Sequence, residues 1–365
     1  MFHQMNDGSV IDDTGKIIYF SCERFVRDIC EGDCCFICGA SPSEREFNNE
    51  HVLPEWILRR YDLIGRTVTL PNDTKFRYDQ YKIPCCSSCN SLMGRKIETP
   101  ISRLIDQGRD AVYREIEKYG ALNLFVWLGL IFLKTHLKDK SIRFRRDLRE
   151  PADPIAGMYA WEDLHHIHTV VRCFYTGCEI SREVAGSFWL LPVRMEASEE
   201  KFDFGDLYAA QTLLLRLDDI AFLTVFNDSC GAMNGLMPKV ERINGAVSEF
   251  QLRELMADLA YLNLHIKDRP VYSSVFNAHQ ELHRIIAVIP EKFELDELDK
   301  SVRGALMYHA LKHAIPSIQI PGLEHDQFVA AIKEGNWTFL FDDQGEFISQ
   351  SIVPNDAALA DDTNA

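Results

Sequence analysis

The sequence predicts an α+β protein in which a metal-tied unit near the N-terminus precedes a helical segment and a larger mixed region. Three observations predict this order. Two C-x-x-C pairs, at 35–38 and 86–89, have the spacing of metal ligands. Helical periodicity dominates 99–137, and strand-like and helix-like segments then follow to 353. The expected divisions are a first domain 1–150, a second α+β domain 151–354 of unknown role, and a disordered acidic tail 355–365.

Length and composition are those of a globular protein with a sizeable core. The 365 residues are 46% hydrophobic, and the net charge of −16 is unevenly spread. Residues 1–109 hold 14 basic and 16 acidic side chains, so most of the acidity lies further along the chain. The opening stretch MFHQMNDGSVIDD lacks the pattern of a signal peptide. We expect a cytoplasmic protein, whose eleven cysteines then favour metal binding over a disulfide framework.

Local signals justify the elements of the first domain. The run VIDDTGKIIYF predicts a hairpin with its turn at DDTG, and Ser21 is placed to cap a helix over 21–31. In PEWILRRYDL, Pro54 opens a short helix. The apolar run 122–133 is too short to span a membrane and is typical of a buried helix, so no membrane contact is expected.

The second domain mixes strands and helices. A linker is expected at PADPIAG, 151–157, before it. Ser248 and Gln251 form a capping box at the start of an amphipathic helix over 248–266. The remaining signals are strands, namely 188–195, 212–226 broken by a turn at LDD, and a hairpin over 337–353 with its turn at DDQG.

The cysteines carry the strongest chemical signal. Two C-x-x-C pairs complete a tetrahedral four-thiolate zinc site, which is closed and therefore structural. The expected ligands are Cys35, Cys38, Cys86 and Cys89. Each pair is preceded by a further cysteine, Cys34 or Cys85, which leaves the register open by one residue. The other cysteines are expected to be buried small apolar residues, namely Cys22, Cys30, Cys173, Cys178 and Cys230.

Between the two pairs stands EHVLP, in which Glu50 directly precedes His51. Adjacent residues of a strand point to opposite faces, so a shared site requires a strand end that enters a loop. The second pair leads through Asn90 into a helix expected to begin at or just after it. The order of knuckle, acidic residue and histidine, strands, knuckle, asparagine and helix resembles the zinc-knuckle branch of the HNH endonucleases, over about residues 34–99.

The resemblance implies a ββα-metal finger (His-Me finger) in which zinc holds the fold and Mg²⁺ or Mn²⁺ serves catalysis. His51 matches the general base, and its near-neutral pKa suits proton abstraction from water. Glu50 and Asn90 match the ligands of the catalytic ion, which would stabilise the leaving oxygen. The middle asparagine of the family has no direct match here. Its candidates are Asp79, Gln80 and Asn72.

Basic residues supply candidate phosphate contacts. Arg95 and Lys96 follow Asn90, and the run 134–149 holds seven basic side chains against two acidic ones. Either set serves equally well as a solvated surface. The candidates within the run are Arg143, Arg145 and Arg146. A metal site in the histidine group WEDLHHIH is less well supported by spacing than a surface turn.

The function expected from these features is metal-dependent hydrolysis of nucleic-acid phosphodiester bonds, with double-stranded DNA as the expected substrate. The alternative is a non-catalytic zinc-knuckle protein that binds nucleic acid or acts as an adaptor. The region after residue 150 leaves room for a sensor, a protein partner or an oligomer contact, as would fit a bacterial defence nuclease. The choice between DNA and RNA stays open.

Overall fold

The computed structural model describes residues 1–145, 147, 149–195, 200–277 and 282–349. Arg146, one of the expected phosphate contacts, and the tail expected at 355–365 lie outside the described residues.

The described residues form a mixed α+β structure, as predicted. The strands are β1 (Phe2–Gln4), β2 (Val10–Asp12), β3 (Ile17–Tyr19), β4 (Phe47–His51), β5 (Thr67–Thr69), β6 (Lys75–Arg77), β7 (Lys82–Cys86), β8 (Glu179–Ile180), β9 (Phe188–Pro192), β10 (Phe202–Leu207), β11 (Thr212–Leu217), β12 (Ile220–Val225), β13 (Val271–Asn277) and β14 (Leu282–Val288). The helices are α1 (Cys22–Arg24), α2 (Glu55–Arg60), α3 (Ser87–Met93), α4 (Thr99–Ile105), α5 (Arg109–Tyr119), α6 (Leu122–Asp139), α7 (His165–Val171), α8 (Cys173–Thr176), α9 (Gly231–Val240), α10 (Glu249–Leu264), α11 (Lys300–Leu311) and α12 (His325–Lys333). Single π-helical segments, Phe25–Glu31 and Gly94–Glu98, follow α1 and α3.

The chain divides into two compact units. The first comprises Met1–Gly186 and Arg269–Glu291, and the second comprises Ser187–Asp268 and Lys292–Ala365. The division therefore falls after residue 186, where the sequence places it after 150. The stretch expected as a linker belongs to the first unit because the Ile155 amide donates to the Ile142 carbonyl at 2.8 Å.

Helix α6 forms the centre of the first unit. Its side chains are buried almost without interruption from Leu124 to Leu137, which confirms a buried helix over the apolar run. The first unit also contains a three-stranded sheet (β1-β2-β3), two antiparallel pairs (β4-β7 and β5-β6) and a second three-stranded sheet (β13-β14-β8). The hairpin expected at DDTG is β2-β3, and the Ser21 hydroxyl caps α1 by accepting from the Arg24 amide at 3.1 Å.

The second unit is built on an antiparallel sheet in the order β10-β11-β12-β9. Strands β11 and β12 are buried along their whole length, and α10 packs against both of them. The predicted capping box at Ser248 and Gln251 starts α10. Within α10, Glu254 and Asp258 are buried and bind the Arg303 guanidinium at 2.8 Å and 2.6 Å.

Two further expectations are tested by the helices. Helix α3 begins at Ser87, three residues before the predicted start, because Cys86 already serves as its N-cap. Among the described residues, no single helix has the length and apolarity to cross a membrane; α5 and α6 meet that criterion only as a pair, bent by 112°.

Candidate functional site

Four cysteine sulfurs converge where two chain turns meet. The ligand atoms of Cys35, Cys38, Cys86 and Cys89 all lie within 4.8 Å of one another, and all four residues are buried. The first turn closes tightly because the Gly39 amide donates to the Cys35 carbonyl at 2.8 Å. Gly39 has a φ of +78°, a conformation that a residue with a side chain rarely adopts. This cluster could hold a structural metal ion such as zinc.

The cluster resolves the register that the sequence left open. Cys35 and Cys86 contribute the sulfurs, whereas Cys34 is outside the group. Cys85 lies close by, with its sulfur 3.8 Å from that of Cys35, but it is not one of the four. Hydrogen bonds from the neighbouring thiols of Cys38, Cys85 and Cys89 place the pKa of Cys35 far below its usual range. The same hydrogen bonds raise the pKa values of Cys38, Cys85 and Cys89, so the contacts among the thiols favour one thiolate, at Cys35, which is the form that binds metal.

Side chains at the C-terminal end of α7 form hydrogen bonds with the backbone of the first cysteine turn. The His168 ring donates from Nε2 to the Phe36 carbonyl at 2.8 Å, and Arg172 Nε donates to the Ile37 carbonyl at 2.6 Å. Both side chains are buried. Burial places the pKa of His168 well below its usual value, so the ring is neutral. These contacts give His168 a structural role in holding the first turn of the cysteine cluster.

The other two histidines of this group also have protein neighbours. His165 bonds to the Phe20 carbonyl at 2.8 Å, and His166 stacks on Tyr272. Within the described part of the chain, the cysteine cluster is the only group of three or more histidine, cysteine or acidic side chains whose ligand atoms converge in this way. The interpretation of WEDLHHIH as a surface turn holds for the exposed Glu162 and Asp163 of a short 3-10 segment, Trp161–Leu164, but is wrong for the histidines, which lie on α7 with Ile167 and His168 buried.

The remaining cysteines differ in exposure from the sequence expectation. Cys30 is buried, as expected, whereas Cys22, Cys173 and Cys178 are only partly buried. Cys230 is exposed, so the expectation was wrong there. Its φ of +67° places it in a turn just before α9, where the chain reverses at the surface.

Strands β4 and β7 carry the predicted catalytic pair. They pair antiparallel, with Glu50 opposite Ile83 and His51 opposite Lys82. Both Glu50 and His51 belong to β4, so their side chains leave the strand on opposite faces. Glu50 is buried, and the His51 side chain is half-buried. A site that uses both side chains must therefore lie at the end of β4.

A buried lysine binds the carboxylate of Glu50. Lys134 of α6 donates from Nζ to Glu50 Oε1 at 2.6 Å and to the His51 carbonyl at 2.8 Å. The Glu98 carboxylate lies 3.5 Å from the same nitrogen. Burial opposes the charge on Lys134, but the two carboxylates outweigh it and raise the pKa of the lysine. Burial also raises the pKa of Glu98, against the attraction of Lys134.

The His51 ring is available for chemistry. No hydrogen bond links it to another side chain among the residues that the structure describes. Burial, with a smaller contribution from the nearby charge of Lys82, lowers the pKa of His51 below its usual value. A lowered pKa keeps the imidazole neutral at pH 7, which is the state that accepts a proton.

Asn90 lies on α3, on the Glu50 side of the strand pair. Its side-chain amide donates to Asn48 Oδ1 at 2.9 Å, and Asn48 precedes Glu50 by two residues on the same face of β4. Asn48 thus makes a contact of the kind expected of the middle asparagine, for which the sequence offered Asp79, Gln80 and Asn72 as candidates. Asn72 instead donates to the Arg143 and Phe144 carbonyls, and Asp79 binds Arg77.

The predicted phosphate contacts fall into two groups. Arg95 and Lys96 are exposed on the π-helical segment after α3, where they can meet a ligand. Arg143 donates to the Glu150 carbonyl at 2.7 Å and so braces its own loop. Arg145 forms an exposed ion pair with Glu150 at 2.7 Å. An exposed pair of this kind is weak, so Arg145 can exchange its partner for a phosphate.

Sequence reasoning missed the role of Lys134, which it counted in the basic run 134–149. The signal was the position of this lysine directly after twelve mostly apolar residues, within the same helical pattern. A lysine that continues a buried helix needs a buried acidic partner. Glu50 and Glu98 are these partners, but sequence separation concealed their proximity to Lys134.

No protein-family model matches the chain, and no curated protein or solved structure matches it significantly.

Proposed function

We propose that this protein is an endonuclease that hydrolyses phosphodiester bonds, with double-stranded DNA as the substrate to test first. The observation that carries the proposal is the arrangement of three groups around the β4-β7 pair. Glu50 and His51 end β4, and Asn90 on α3 reaches back to the same strand through Asn48. The cysteine cluster links the turn before β4 to the start of α3. This order supports the proposal of a ββα-metal finger, in which zinc would be the structural ion because four thiolates favour it.

In this proposal His51 is the general base. Its half-buried ring is neutral at pH 7 and has no hydrogen-bond partner in the described residues, so Nδ1 or Nε2 can accept a proton from a water molecule. Arg95 and Lys96 lie exposed beyond Asn90 and would hold the phosphate backbone.

Glu50 and Asn90 are the residues that would hold Mg²⁺ or Mn²⁺. Carboxylate and amide oxygens are the donors that these hard cations prefer. Asn90 uses its amide nitrogen for Asn48, which leaves its oxygen for a ligand. Glu50 keeps Oε2, since Lys134 takes Oε1. When bound, the ion would supply positive charge to the scissile phosphate and the leaving oxygen.

Lys134 also favours a second candidate function. An ammonium group already neutralises Glu50, so the finger would be stable without a divalent ion and without any hydrolytic role. In that case the protein is a zinc-knuckle module that binds nucleic acid or acts as an adaptor, and its exposed Arg95 and Lys96 contribute affinity alone.

Nicking of supercoiled plasmid in Mg²⁺ or Mn²⁺ separates the two functions, with an RNA substrate assayed in parallel. The endonuclease should nick, and His51→Ala should lose about 10²–10⁴-fold in rate, the usual contribution of a positioned general base. Zinc content and DNA affinity should stay near wild type. His51→Ala prepared identically also controls for contaminating nucleases. A wild-type protein that cleaves neither substrate, or a His51→Ala variant with full activity, would favour the non-catalytic function.

A further inference from the structure

The buried lysine beside the proposed catalytic ion has a consequence for metal binding. We propose that the Lys134 ammonium and a divalent cation compete for one set of oxygens, so that Lys134 sets the metal affinity of the site. The set consists of the Glu50 carboxylate, the Glu98 carboxylate and the His51 carbonyl. This inference rests on the proposed function in one respect, namely that the ion binds at Glu50.

The geometry supplies the first argument. Lys134 Nζ lies 2.6 Å from Glu50 Oε1, 2.8 Å from the His51 carbonyl oxygen and 3.5 Å from Glu98 Oε1. These oxygens come from β4 and from the segment after α3, and they surround one cation. Two carboxylates and a backbone carbonyl are also the donors of hard divalent cations. The position taken by the ammonium is therefore chemically suited to a metal ion.

Charge supplies the second argument. Lys134 is 1% exposed, so water screens its charge poorly. A divalent ion on the other oxygen of Glu50 would lie within a few ångströms of the ammonium and be repelled by it. Binding of the ion then requires the long lysine side chain to withdraw from Glu50, which its four-carbon stem permits. Glu98 lowers this cost because its carboxylate can neutralise either cation.

The test measures metal binding without nucleic acid. Zinc-loaded full-length protein is titrated with Mn²⁺, and free Mn²⁺ is followed by its electron paramagnetic resonance signal. The relevant Mn²⁺ site is defined as the one that Glu50→Gln removes. This definition distinguishes it from Mn²⁺ that binds to other acidic residues of the surface. Lys134→Met keeps the length and apolar stem of the side chain and removes its charge. The variant should bind Mn²⁺ about tenfold or more tightly than wild type, because two buried carboxylates lose their counter-charge.

A folded Lys134→Met variant with unchanged or weaker Mn²⁺ affinity overturns the proposal, as does a site that persists in Lys134→Met/Glu50→Gln. Removal of one member of a buried ion pair is strongly destabilising, so a second variant covers failure to fold. Glu98→Gln leaves the Lys134–Glu50 bond in place and removes one negative charge. Its Mn²⁺ affinity should fall several-fold relative to wild type, and an unchanged affinity overturns the proposal.

The experiments distinguish failure of this proposal from failure of the proposed nuclease function. If the Mn²⁺ site responds to Lys134 while the protein cleaves neither DNA nor RNA, the competition is supported and the nuclease function fails. If the protein nicks plasmid while Glu50→Gln removes no Mn²⁺ site, the competition is refuted and the nuclease function stands.

Discussion

Two neighbouring cysteines provide the sharpest test of the metal centre. Cys85 and Cys86 are both buried on β7, but only the Cys86 sulfur belongs to the four-thiol group. We expect Cys86→Ala to lose its zinc and Cys85→Ala to retain one zinc per chain. The Cys85 substitution is a matched control because it removes the same atom from an equally buried position one residue away.

The stability effect follows from the same geometry. The four ligands join the turn at 35–38 to the start of α3, and 47 residues lie between Cys38 and Cys86. A ligand present at a hundred times its Kd stabilises the folded state by about 2.7 kcal/mol. The first unit has about 200 residues, for which 1 kcal/mol corresponds to a shift in Tm of about 2–4 °C. Cys86→Ala should thus lower the Tm of the first unit by at least about 5–10 °C.

Plasma emission spectrometry of the purified variants gives zinc per chain, and calorimetry gives the unfolding transitions. The double variant Cys38→Ser/Cys89→Ser, which removes two other ligands, should behave like Cys86→Ala. Full zinc content in Cys86→Ala, or equal loss in Cys85→Ala, would refute the assignment of these four sulfurs.

The remaining predictions concern metal use, nucleic-acid contacts and pH. Glu50→Ala and Asn90→Ala should each raise the Mg²⁺ concentration required for nicking, because each removes a ligand and not the base; an unaltered Mg²⁺ dependence would contradict the ligand assignment. Arg145→Gln/Arg146→Gln should flatten the salt dependence of DNA affinity by about 0.9 per lost phosphate contact in a log–log plot, and an unchanged slope would leave this run as a solvated surface. Burial lowers the pKa of His283 from its usual 6.5 to about 4, so its contribution to stability is complete above pH 6.5 and is lost as the pH falls towards 4, by about 1.4 kcal/mol per pH unit. Urea unfolding of His283→Phe between pH 7 and 5 should show a weaker pH dependence than wild type, and parallel curves would exclude this histidine as the cause.

Local signals in the sequence were sufficient for much of the secondary structure. The hairpin at DDTG, the cap at Ser21 and the capping box at Ser248 depend on residues within a few positions of one another. The cysteine cluster was also predictable, because C-x-x-C spacing encodes the local turn. The start of α3 was misplaced because Cys86 is the helix N-cap as well as a member of this cluster, and propensity alone does not favour cysteine as a cap.

Contacts between segments that are distant in sequence could not be predicted from local sequence patterns. Lys134 lies 84 residues from Glu50, and their pairing depends on how α6 packs against β4. Asn48 was overlooked because a supporting asparagine was expected near the second cysteine pair, whereas the chain places one on β4 itself. The division expected at 151–157 does not coincide with the one between the two compact units, because backbone bonds tie this stretch to residues 142–144 just after α6, and composition does not report such bonds.

The geometry of β4 decides how the proposed site could operate. Glu50 faces the buried side with Lys134, while His51 leaves the opposite face. The ladder continues beyond them, since the Val52 amide donates to the Tyr81 carbonyl at 2.9 Å, so the strand does not turn until after the pair. A phosphate that meets both groups would have to approach from the end of β4, because the two side chains leave the strand on opposite faces. Since Lys134 already holds Glu50 Oε1, the proposed function makes the position of this one side chain the condition for joining metal binding to base catalysis.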